Sequence, residues 1–145
     1  MRVTFPRLPD HERAWALVER DDGVVYRVYG GAAGPRLPHD IMHLVVEREL
    51  RIKDGIWAGI AAGEPSHPAG LRAEVLADLV SSAATLDTMT LEKVKRLSAA
   101  KLSVLPDADV DPVVIAAAAR ALQVEAARWA RLRVGEELSY DWPGK

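Results

Sequence analysis

The chain has 145 residues, 49% of them hydrophobic and 28% charged, with a formal net charge of −2 and no cysteine. That size and balance suit one globular domain with a real core, and no apolar run reaches membrane-spanning length, so no membrane partner is expected. Without cysteine there is no disulfide and no thiolate metal site, which leaves His, Asp and Glu as ligands, and the interspersed charges offer no broad positive field to nucleic acid.

The opening "MRVTFPRLPDHERAW" carries charges where a secretory signal would carry its apolar core, so the cytoplasm is the expected location. Residues 1–30 read as a β-hairpin or meander. "RAWALVER" and "VVYRVYG" flank "DDG", a turn in which glycine supplies positive φ, and "RVTF" adds a third strand. The alternation puts Trp15, Leu17 and Val25 toward one side, with Arg13, Glu19 and Arg27 among the polar positions. "GGAAGPRLP" then breaks the pattern with a loop.

Residues 38–134 read as mainly helical. Pro38 suits a first helical position and Asp40 suits the positive helix end, so the first helix runs from about residue 38 to Ile52 and closes on Gly55. Glycines 55, 59 and 63 of "GIWAGIAAG" mark a bare helix edge for close packing, and "EPSHPAG" is a second loop. Apolar positions from Leu71 predict a helix reaching about Ala84, and a shorter one spans Leu91 to Leu102. Asp111 and Pro112 form a cap and first turn for an alanine-rich last helix, with Ile115, Leu122, Trp129 and Leu132 as core contacts. Residues 135–145 give a strand or tail that can rejoin the sheet at Leu138–Trp142. The expected class is α+β: one domain with a small N-terminal antiparallel sheet packed against four or five helices.

The stretch richest in chemistry is "LPHDIMHLVVERE", residues 37–49. On an ideal helix with His39 at zero, His43 falls near about 40°, Glu47 near about 80° and Asp40 near about 100°. Four ionisable groups thus share one stripe at the border of the apolar face. Histidines four apart project side by side and can converge on one divalent ion such as zinc.

"HDIMH" resembles the H-E-x-x-H zinc motif with aspartate in second place, and is similar to the H-D-x-x-H motif of the coenzyme Q biosynthesis protein family. In the zinc hydrolases the acid beside the first histidine activates a metal-bound water, which implies that role for Asp40 here. In the coenzyme Q family a glutamate follows the second histidine after eleven residues, a place that Gly55 holds in this chain. The wider stretch "LPHDIMHLVVERELRIKDGIWAGIAAG" also resembles a group of small bacterial proteins sharing an L-P-H-D-x-x-H-x-x-V-E core, a resemblance that implies no activity.

Glu47 lies about 12 Å along the helix from His39, so one helix cannot bring all three groups to one ion. Either His43 pairs with Glu47 instead, or the third ligand comes from Glu74 or Asp78 on the next long helix or from His67 or His11 in loops, with His67 and Glu74 ranked first. The metal set is therefore His39, His43, His67 and Glu74, with Asp40 or Glu47 as general base in a pocket between the "GGAAGPRLP" and "EPSHPAG" loops. Two other readings of the stripe stand beside it: a solvated border with Glu47 paired to Arg51, and metal-free acid–base chemistry. For the whole chain the alternative to a metal-binding protein or metal-dependent enzyme is a non-enzymatic interaction protein forming a homodimer. The partners expected are thus a second copy or a small-molecule ligand. Ser66 beside His67, and the alternating Asp107, Asp109 and Asp111, are weaker candidates that lack the surrounding pattern of a nucleophile elbow or a calcium loop.

Overall fold

Period-two strands and 3.6-residue helical stripes combine, in the computed structural model, into an α+β fold described over residues 1–64, 69–105 and 110–143. The strands are β1 (Arg2–Pro6), β2 (Arg13–Glu19), β3 (Val25–Ala32) and β4 (Glu137–Asp141), all antiparallel in the order β3-β2-β1-β4. The helices are α1 (His39–Glu49), α2 (Ile56–Ala61), α3 (Leu71–Ala84), α4 (Leu91–Lys101) and α5 (Pro112–Ala130), with a 3₁₀ turn at Leu102–Val104. Among the described residues, no helix is long and apolar enough to cross a membrane.

The hairpin turn needs its glycine: Gly23 has φ +85°, which β-carbon-bearing residues avoid. The C-terminal strand does rejoin the sheet, placing Val3 opposite Tyr140 and Phe5 opposite Leu138. Hydrogen bonds from the Met1 ammonium to the Trp142 carbonyl (3.0 Å) and from the Trp142 N–H to the Met1 carbonyl (2.7 Å) close that edge.

Trp15, Leu17 and Val25 do share one side of the hairpin, but it is the outer one, and Glu19 and Arg27 stand on it with them. Ala16 and Val18 are buried, whereas Trp15 and Leu17 are only half-buried and Val25 is exposed. Trp15 is covered on the outer side by the Arg27 guanidinium, 4.0 Å from its ring centre, and Arg13 covers Tyr29 at 4.7 Å. Cation–π contact with cross-strand neighbours thus makes a large aromatic tenable on the open face.

One hydrophobic core joins Val3, Phe5 and Val18 of the sheet to Leu44, Val45 and Trp57, and to Leu76, Leu79, Ile115 and Trp129 of the outer helices. Helix α1 packs against α2, α3 and α5, and α3 and α5 form the most extensive helix pair. Of the expected contacts on α5, Ile115, Leu122 and Trp129 are buried and Leu132 is partly so. Asp111 caps α5 through a 2.9 Å bond to the Val113 N–H, with Pro112 in the first turn, and Thr90 caps α4 in the same way. Asp111→Ala removes an acceptor from an exposed helix start, so chemical denaturation will read a loss of about 1 kcal/mol, and an unchanged midpoint would contradict the capping role.

Candidate functional site

Helix α1 begins one residue later than expected, with Pro38 outside the helix and its carbonyl accepting from Met42. Its other end differs more. The left-handed residue is Arg51 (φ +52°), not Gly55, and the Ile52 N–H bonds back to the Glu47 carbonyl while the Arg51 N–H bonds to Arg48. That pair of bonds is the Schellman arrangement, which reverses the chain within three residues. Gly55, at φ −90°, is instead the residue before α2, and the reversal brings the start of α2 alongside Glu47.

The polar stripe of α1 is consequently not at a solvent border. His43 and Glu47 are both fully buried, His39 is exposed and Asp40 is half-buried. Glu47 does not pair with Arg51, which is exposed. Its two oxygens accept the backbone N–H groups of Ile56 (3.0 Å) and Trp57 (2.9 Å), the otherwise unpaired donors of the first turn of α2. Trp57 is also held from its other end, its indole N–H donating to the Asp40 carbonyl at 3.1 Å and its ring meeting Phe5 edge-on. Helix α2 is thereby tied to both ends of α1.

Glu47 also orients His43. His43 Nδ1 lies 3.3 Å from Glu47 Oε2, off the line of a good hydrogen bond but facing the carboxylate with no other partner among the described residues. On the other side of the ring, His43 Nε2 is 3.0 Å from His39 Nε2 and 3.8 Å from Glu74 Oε1. A buried carboxylate, a buried imidazole and an exposed imidazole therefore form one line from the interior to the surface.

Of the expected site residues, His39, His43 and Glu74 come together, and Asp40 stands beside them. Asp78 is taken up by Lys101 at 2.8 Å, and exposed His11 is tied by its N–H to the Ala33 carbonyl. His67, Ser66, Asp107 and Asp109 lie outside the described residues. Among the described residues no set of three His, Asp or Glu side chains is in place to hold a metal ion. Burial raises the Asp40 carboxyl above the ordinary range, an effect partly offset by the adjacent His39 and His43.

His39 and Asp40 also line a cavity of about 360 Å³ whose other walls include Phe5, Trp15, Leu37 and Trp129. Its rim is the "GGAAGPRLP" loop, as expected for one side of the pocket. The loop is fixed by bonds from Trp129 Nε1 to the Gly34 carbonyl (3.1 Å) and from the Ala33 N–H to the Glu12 carbonyl (2.6 Å). The sequence marks Trp57, Trp129 and Trp142 as core or interface anchors, but their scatter gives no sign that Trp129 lines a cavity with Phe5 or that Trp57 bridges Glu47 and Asp40.

Position 55, where the coenzyme Q family carries its glutamate, has no side chain here. The carboxylate of Glu47 fills the space that a Cβ on Gly55 would occupy. No family model, no curated protein and no solved structure matches the chain.

Gly55→Ala sets a methyl against that buried carboxylate, which cannot move without releasing two N–H groups. A loss of about 1–3 kcal/mol in thermal or chemical unfolding is expected from such overpacking. A variant as stable as the parent would show that Glu47 does not fill the position.

Proposed function

We propose that the chain binds a divalent first-row metal ion through His39 and His43, with Glu74 as third ligand. The observation that supports this reading is the buried His43, whose Nδ1 faces a buried carboxylate while its Nε2 lies 3.0 Å from His39 Nε2. A carboxylate behind a ligating histidine fixes its tautomer and raises its basicity. Two nitrogens at that separation, each at the usual bond length of about 2.05 Å, subtend roughly 94° at an ion, a cis arrangement that five- and six-coordinate ions accept. The side chain of Glu74 is 53% exposed and free to swing the remaining distance. The proton shared between the two imidazoles in the free protein leaves when the ion enters.

In this reading Glu47 is an orienting carboxylate and not a base, since both its oxygens hold backbone N–H groups. Asp40 lines the adjoining cavity and is the carboxylate placed to exchange a proton with a molecule there. An ion beside it would polarise a carbonyl or activate water, so the arrangement suits a metal-dependent enzyme.

The test is metal uptake by tag-free, chelator-stripped protein titrated with Zn²⁺, Mn²⁺ and Ni²⁺. One ion per chain is expected, with a stabilisation of about 2.7 kcal/mol at a hundredfold excess over Kd. His39→Gln should abolish both while the metal-free protein keeps its stability, because that side chain is exposed. His11→Gln should change neither. Absence of stoichiometric uptake and of stabilisation by all three ions would overturn the metal reading.

A further inference from the structure

The cavity beside His39 and Asp40 has a chemistry of its own, independent of any ion. Its body is apolar and aromatic, walled by Phe5, Leu37 and Trp129, and its volume of about 360 Å³ falls at the small end of ligand pockets. Its loop rim is held by backbone and indole hydrogen bonds, so the space is preformed and little ordering is needed on binding. At one end stands the Asp40 carboxylate, half-buried. Among the described residues its side chain accepts no hydrogen bond, although its backbone carbonyl accepts from Trp57. The carboxylate lies against Gly30, where an added Cβ would sit 3.0 Å from Oδ2, so this end of the cavity is tight.

We infer that this cavity binds a small, flat aromatic molecule carrying one hydrogen-bond donor, a hydroxyl or an amine, with the ring between the aromatic walls and the donor on Asp40. The apolar walls select against a strongly hydrated ligand, since any polar group left unpaired there forfeits its hydration. The half-buried carboxylate selects for a donor at one end and repels an anion. A planar ring makes the largest contact with indole faces at the least cost in conformational freedom.

The proposal can be tested without knowing the natural ligand, using phenol, benzylamine and benzoate as probes of similar size. The protein is labelled with 5-fluorotryptophan, its four resonances are assigned by single Trp→Phe variants, and each probe is titrated into both untreated and chelator-stripped protein. Phenol and benzylamine should shift the Trp129 resonance more than those of Trp57 and Trp142, with saturation at millimolar concentrations or below. Benzoate should bind at least about tenfold more weakly, the equivalent of one lost charge-assisted hydrogen bond. Asp40→Ala should bring phenol down to the level of benzoate.

If no donor probe saturates, the cavity is not a ligand site. If benzoate binds as well as phenol, or Asp40→Ala leaves phenol binding unchanged, the assigned ligand class is wrong. Saturation in stripped protein separates this inference from metal binding, so either can fail while the other stands.

Discussion

A single buried carboxylate organises the centre of this molecule. Glu47 is fully enclosed, and it is tolerable there because its two oxygens each accept a backbone N–H from the first turn of α2 while its near side faces His43. Burying a carboxylate without such partners would cost several kcal/mol, so the group demands the arrangement that surrounds it. Helix α2 must start beside it, the chain must reverse sharply after α1 to get there, and residue 55 must lack a side chain. Each of these conditions is met by a separate local feature: the left-handed Arg51, the bond from Ile52 to the Glu47 carbonyl, and Gly55 itself.

The same carboxylate links the core to the surface. His43 is held between Glu47 and His39, and His39 is the exposed end of the line. Trp57, whose N–H is one of the two donors to Glu47, returns through its indole to the first turn of α1 at Asp40. Rearranging Glu47 would therefore loosen α2 and unseat His43, and would reach Asp40 and the cavity wall through Trp57. Polar networks of this kind are stable only when every member is satisfied. Here the weakest member is the oblique contact at His43 Nδ1.

Much of this was legible in the sequence, and what was not has definite physical reasons. Strand alternation, the glycine turn at 23, the capping Asp111 and the spacing of His39 and His43 are local signals, and the structure carries each of them. Helical spacing correctly placed Glu47 on the same stripe as the histidines. It could not reveal that this stripe is covered, because covering it depends on a chain reversal eight residues further on. Gly55 was read as a helix stop since glycine usually fills the left-handed position there, yet Arg51 takes that conformation and the glycine instead makes room for a carboxylate. Alternation puts Trp15 and Leu17 on one side of the hairpin but does not say which side the helices cover. The cross-strand Arg27 makes the outer face an acceptable place for Trp15. The cavity was half visible, as a glycine- and proline-rich loop, while its aromatic walls, Phe5 and Trp129, come from positions more than one hundred residues apart.

The central claim is that Glu47 sets the state of His43, leaving its Nε2 turned toward His39 as a bare nitrogen. The measurement closest to that claim is the two-bond ¹H–¹⁵N spectrum of the histidine rings in metal-free protein at neutral pH, which reports which nitrogen carries the proton. Glu47 acting as the orienting acceptor predicts that His43 is protonated at Nδ1 and bare at Nε2, and that Glu47→Gln disturbs this pattern. A His43 ring protonated at Nε2 and bare at Nδ1, facing the carboxylate with a lone pair, would contradict it.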